Sequence, residues 1–133
     1  MQGTPYVMRR RIFWGPNMVP CTPPPFGALV AVSLKTGGIL WQAPLTPNLG
    51  GPIVTASGLA FLGATIDKRF HAFDVETGRE LWTATLPAGA RATPMTYEAG
   101  GRQFVVIAAG GGGPFGAGDA IIAFALPRLE PYR

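Results

Sequence analysis

The chain has 133 residues, and 19 Gly plus 14 Pro make about a quarter of its positions backbone interruptions, which excludes a coiled coil or long-helix protein. Hydrophobic residues reach 47% and charged ones only 14%, so the chain is too apolar to stay disordered, and its length suits one domain with a sizeable core. A net charge of +4, one Cys and one His exclude an internal disulfide and a His/Cys metal cluster.

Residues 1–26 read as an irregular, Pro-rich lead-in. They lack a basic start followed by an apolar run, so no export signal is expected. Arg9, Arg10 and Arg11 form one basic cluster without interleaved aromatics or a second cluster. It is read as a solvated turn, and no nucleic-acid partner is expected. The uncharged span 40–66 has the length of a membrane helix. Pro44, Pro47, Pro52 and four glycines break it into pieces that suit strands.

Residues 27–119 carry a repeat. Segment 29–45 (LVAVSLKTGGILWQAPL) and segment 70–86 (FHAFDVETGRELWTATL) match at seven of seventeen positions with an offset of 41. A weaker echo follows each: PIVTASGLAFLGA from Pro52 and PMTYEAGGRQFVVIAA from Pro94. Within one period the pattern predicts strands over 53–55, 59–64, 70–75 and 80–86, with turns at Gly58 and over 76–78. Four short antiparallel strands per forty-odd residues is the arithmetic of a propeller blade. The fold class expected is therefore all-β, a partial β-propeller of two to three four-stranded blades. Residues 120–133 begin a last blade, IIAFAL from Ile121, and a tail; the absent outer strand suggests a true C-terminus.

Two local features have a mechanism. In Asp74-Val75-Glu76-Thr77-Gly78 the Asp and Thr side chains can bond the turn backbone, and Gly78 can take the positive φ of a bulged hairpin. Ser33 replaces the Asp in the first copy and weakens the cap. The Trp four residues after each Gly, Trp41 and Trp82, is placed to cover a neighbouring blade, with small Ala31 and Ala72 leaving room.

The spacing Ala-x-Asp-x-x-Thr-Gly-x-x-x-Trp, intact over 72–82 and degraded over 31–41, resembles the tryptophan-docking motif of quinoprotein dehydrogenases. Those are eight-bladed propellers holding pyrroloquinoline quinone (PQQ) and a divalent cation. GTPY at Gly3, VPC at Val19, LGGPI at Leu49, LPAG at Leu86, ATPMTYE at Ala92 and the AGG and PFG ahead of Gly118-Asp119 resemble the C-terminal end of the membrane-bound glucose, quinate and polyol dehydrogenase branch. The likeness runs over essentially the whole chain.

The resemblance implies oxidation of a sugar, cyclitol or polyol hydroxyl, with electrons passed to ubiquinone at the periplasmic face of the inner membrane. It also implies that the catalytic Asp, the Lys beside the quinone and most ligands of the Ca or Mg ion lie in upstream blades. No catalytic or metal residue is assigned to this chain, which is expected to be inactive alone and to need the remaining blades as partner. Two stretches are candidate cofactor contacts. Asn48, Leu49 and Gly50 stand before an inner strand, where related alcohol dehydrogenases place a quinone-contacting Trp; Leu49 occupies that position here. Gly111 and Gly112 belong to a Gly run expected as an insertion between a strand ending near Ala109 and one starting at Ala120. Its backbone N–H groups could cradle a carboxylate. In glucose enzymes a His follows AGG; Gly112 stands there, which argues against glucose. His71, opposite Val30 in the other copy, is expected to be a half-buried or surface packing residue. A non-enzymatic scaffold and an inactive truncated product are the alternative readings, because the Trp motif reports a fold and not a chemistry.

Overall fold

A computed structural model of the chain describes residues 20–63, 66–112 and 116–127, with residues 3, 6, 9, 13, 15 and 16 of the lead-in. Arg10 and Arg11, Val19, Ala64, residues 113–115 and the tail from 128 therefore lie outside the described residues; Arg9 and Cys21 are exposed.

The described chain is all-β and forms three antiparallel sheets in sequence order. The first pairs β1 (Gly27–Val32) with β2 (Ile39–Leu45). The second runs β3 (Ile53–Val54), β4 (Leu59–Leu62), β5 (Arg69–Asp74) and β6 (Glu80–Thr85) as a four-stranded meander. The third joins β7 (Met95–Ala99), β8 (Arg102–Gly111) and β9 (Ala117–Ala125). The expected strands are present in the expected meander, with bounds one or two residues shorter or shifted. Only the middle sheet has four strands; the first consists of the two that carry the Trp repeat, and the third has no Trp strand among the described residues.

The middle sheet is apolar on both faces because both are covered. Ala60, Leu62 and Phe73 face the first sheet, where Leu29, Ala43 and Leu45 pack on them. Phe70, one residue out of phase with His71 and Phe73, faces the third sheet and joins Leu86, Ala90, Ile107 and Ala109, with Phe61 and Phe124 alongside. Side chains of period two thus split into two cores, one per inter-sheet seam. Phe70 and Leu62 are fully buried, each stabilising the fold by roughly 2–3 kcal/mol of transfer free energy.

The turns follow their side chains. Asp74 Oδ1 accepts from Thr77 N–H at 2.8 Å, Thr77 Oγ1 at 2.7 Å and Glu76 N–H at 3.1 Å. In the first copy Ser33 Oγ accepts from Thr36 N–H at a weaker 3.3 Å. Gly37 and Gly78 both have positive φ, 70° and 71°. Ala31 and Ala72 are the register partners of Trp41 and Trp82. Trp41 then leaves its own sheet: its Nε1–H donates to the Val75 carbonyl at 2.8 Å, and its ring lies over Gly78, where a Cβ would come within 2.5 Å. This is the docking of one blade on the next that the repeat predicts.

Candidate functional site

In an antiparallel meander, alternate connectors emerge at opposite ends. Connectors 46–52, 63–68, 86–94 and 112–116 therefore share one end of the stacked sheets, and the Thr-Gly turns occupy the other. Every candidate cofactor residue falls at the first end. Gly51 lies against connector 86–94: a Cβ on it would stand 3.3 Å from Thr93 Oγ1. Gly111 N–H donates to the Gly89 carbonyl at 2.7 Å, tying the other stretch to the same connector. Residues 86–94 thus bridge the two candidate stretches, and their backbone is anchored by Leu86, Ala88 and Ala90, all buried.

Within the first stretch, Leu49 is 58% exposed and free to meet a ligand. Asn48 turns its amide oxygen toward the start of β1, 3.1 Å from where a Gly27 Cβ would be. Gly27 is required there, since that Cβ would also run into the Thr46 carbonyl oxygen at 2.5 Å.

The second stretch differs from expectation. β8 continues to Gly111 and β9 begins at Ala117, with Gly111 and Ala117 in register, so the pairing of the two strands reaches further into the Gly run than expected. Two of its donors are engaged: Gly111 N–H donates to the Gly89 carbonyl of the neighbouring connector, and Gly112 N–H to the Gly116 carbonyl. The N–H groups of Gly111 and Gly112 thus already have carbonyl acceptors in this structure.

Cations flank this tip instead. A Cβ on Gly112 would lie 3.1 Å from Arg91 Nη1, and one on Gly116 would lie 3.4 Å from Lys68 Nζ. Both cations reach over from connectors of the second sheet, and only residues without side chains leave space for them. Neither was singled out from sequence. Isolated Lys and Arg in different turns give no pattern, and only the convergence of connectors brings them to one hairpin.

His71 also departs from expectation. It is buried, 4% exposed, on the face of β5 turned to the first sheet. Nδ1 is 3.3 Å from Glu80 Oε1 and Nε2 is 3.6 Å from Asp67 Oδ2, so the ring sits between two carboxylates at the wall of a crevice of about 450 Å³ closed by Pro24, Pro25 and Phe26. The carboxylates flank opposite ring nitrogens and share no common point. Among the described residues no group of three His, Cys, Asp or Glu is placed to hold a metal ion. At the opposite end, the Thr77 hydroxyl and backbone N–H hold the Asp74 carboxyl below the usual carboxylate range, as a turn cap does.

Comparison with known proteins identifies the family of this fold. The family described as glucose/ethanol/alcohol dehydrogenase, β-propeller domain (PQQ), matches residues 1–105. Quinoprotein glucose dehydrogenase A of Acinetobacter calcoaceticus is 42% identical over an alignment covering 96% of this chain and 18% of that protein. The quinate/shikimate dehydrogenase (quinone) of Acinetobacter baylyi is 38% identical over 96% of this chain and 19% of its own length. Among solved structures, the quinohemoprotein alcohol dehydrogenase from Comamonas testosteroni superposes with a TM-score of 0.61 at 34% identity, covering 71% of this chain and 14% of that one. The chain thus spans about a fifth of the length of the curated relatives it matches.

Proposed function

The chain belongs to the PQQ-dependent glucose/ethanol/alcohol dehydrogenase β-propeller family, and on that footing we propose that it supplies sectors of a dehydrogenase oxidising a sugar, cyclitol or polyol hydroxyl. When bound, PQQ accepts two electrons from the alcohol carbon; the protein contributes binding, orientation and charge. The observation that carries this reading is the gathering of Asn48, Leu49, Gly50, Arg91, Gly111 and Gly112 at one end of the sheets.

Within that reading Leu49 offers an apolar surface to a flat ring, and the Arg91 and Lys68 charges suit the carboxylates of PQQ. Gly112 presents no side chain, so this position donates nothing to a hexose hydroxyl, which disfavours glucose. The Ca or Mg ion and the proton-accepting group are assigned to blades outside this chain. Electrons leave to ubiquinone at the periplasmic face of the inner membrane, and the partner is the remaining propeller blades or an upstream polypeptide. Alone, the chain neither binds PQQ tightly nor oxidises an alcohol.

The test is complementation. The chain is coexpressed with the glucose dehydrogenase of a matched relative from which the corresponding segment is deleted, and PQQ-dependent dye reduction is measured with glucose, quinate and glycerol. Restored reduction of dye by at least one alcohol is expected. A correctly assembled complex that stays silent with all of them sinks the reading.

A further inference from the structure

We propose that the crevice beside His71 binds a primary ammonium group carried on a short apolar stem. This does not rest on the redox reading above, since none of the candidate cofactor contacts is among the described residues that line the crevice.

Among the described residues three buried side-chain atoms have no hydrogen-bond partner: Thr46 Oγ1, His71 Nε2 and Thr83 Oγ1. Thr46 and His71 line the same crevice, and Thr83 is the register partner of His71 on β6. Buried polar atoms are nearly always paired, so two orphans on one crevice wall point to a group that enters from outside the sheets.

His71 decides what that group must offer. Its Nδ1 lies 3.3 Å from Glu80 Oε1, and a carboxylate only accepts, which assigns the ring hydrogen to Nδ1. Nε2 then presents a lone pair, and it faces a second acceptor, Asp67 Oδ2, at 3.6 Å. A further hydrogen on Nε2 does not repair this, because 3.6 Å is beyond hydrogen-bond range and a buried N–H would stay unbonded. A donor placed beside the ring does repair it, by bonding Nε2. The ring is held for that contact: it stacks on Phe73 with centroids 5.8 Å apart, which fixes the direction of Nε2. Asp67 need contribute only its charge, since Oδ1 already accepts from Arg69 N–H at 3.1 Å.

Charge selects among donors. The charged residues described on the crevice are Asp67 and Glu80 against Arg69. With a neutral ring the balance is negative, and anions are turned away. A divalent cation is poorly served, because no three His, Cys, Asp or Glu among the described residues converge. An ammonium brings three hydrogens, no lone pair and a compact positive charge, which suits Nε2 and the Thr46 hydroxyl at once. Pro24, Pro25, Phe26 and Leu45 give an apolar wall for the stem, and a volume of about 450 Å³ is in the range of small-molecule sites.

His71 is the single histidine of the chain, so its ring signals are read without ambiguity. The full chain, labelled for ring-nitrogen NMR, is titrated at constant pH and ionic strength with n-butylammonium. The controls are n-butanol, a neutral donor, and tetramethylammonium, a cation without N–H. A saturable millimolar shift of Nε2 is expected with n-butylammonium and with neither control. N-acetyl-lysine methylamide separates two sources of the group: affinity equal to or above that of n-butylammonium assigns it to a lysine of a partner chain, and weaker binding assigns it to a free amine. Thr46→Val keeps the shape, loses the hydroxyl and should lower the affinity about fivefold, the worth of one hydrogen bond. His71→Phe, followed by calorimetry, should abolish binding; if that variant fails to fold, Thr46→Val still decides. No shift with n-butylammonium, equal shifts with either control, or unchanged affinity in Thr46→Val would overturn the site. Dye reduction in the complementation assay is untouched by any of these results, so the two proposals fail separately.

Discussion

The two seams between sheets start from the same repeat and end differently. At the first, Trp41 crosses to the second sheet, donates to the Val75 carbonyl and lies flat on Gly78. At the second, Trp82 makes edge contacts with Phe124 at 5.1 Å and Phe70 at 6.0 Å, remains 40% exposed, and has no hydrogen bond among the described residues. The carbonyl that would serve Trp82 by repeat alignment belongs to Leu126, and it accepts from Arg102 Nη2 at 2.9 Å. The unit after Trp82 has no Thr-Gly turn to receive the indole, and an apolar groove of about 720 Å³ lined by Trp82, Phe61, Phe124 and Leu126 stands beside it. A docking Trp is thus half of a device whose other half lies one repeat later.

Breaking the second seam outright has the largest effect. Phe70→Ala removes the ring shared by Phe61, Trp82 and Phe124 and should cost about 3–5 kcal/mol in urea denaturation. A loss below 1 kcal/mol would show that the second and third sheets do not stack as described.

A sharper comparison uses the equivalent glycines of the two repeats. Gly37 and Gly78 have the same φ, but only Gly78 carries a tryptophan on it. Gly37→Ala should cost about 1–2 kcal/mol from backbone conformation alone. Gly78→Ala adds a clash with the Trp41 ring and should reach roughly 2–4 kcal/mol. Equal losses would contradict the docking.

Smaller still is the difference between indoles. Trp41→Phe should destabilise by about 0.5–1.5 kcal/mol more than Trp82→Phe, the net worth of one hydrogen bond. Near-identical unfolding midpoints for the two variants would mean that the Val75 contact adds nothing.

The smallest effect is a pH dependence confined to one turn. Asp74 has a folded-state pKa below its unfolded value. Its contribution is therefore complete above the unfolded pKa, and it fades as pH falls through the folded one. Asp74→Asn should flatten that acid limb of the stability curve. The corresponding turn of the first copy, capped by the non-titrating Ser33, supplies none.

Much of the fold was legible because its determinants are local. The 41-residue offset, Thr-Gly turns and alternating apolar strands lie within single repeats, and the Ser33 cap is weaker than Asp74 as its shorter reach predicts. The candidate site was legible only in outline. The Gly run was located, yet its N–H groups could not be known to be spent until Gly111 met Gly89 and Gly112 met Gly116. His71 reads as a half-buried or surface packing residue because its strand position gives no sign of the facing sheet. Its carboxylate neighbours, Asp67 in a turn and Glu80 on the next strand, stand at spacings that mark no pair in the sequence.

By itself the sequence determined the meander, its turns and its family, since hydrogen-bonded strands and φ-positive glycines depend on neighbours a few residues away. Only the tertiary structure decided which tryptophan docks and which cations share a hairpin. Those contacts join groups brought together by sheet stacking, 34 residues apart for Trp41 and Val75, and no spacing within one strand encodes them.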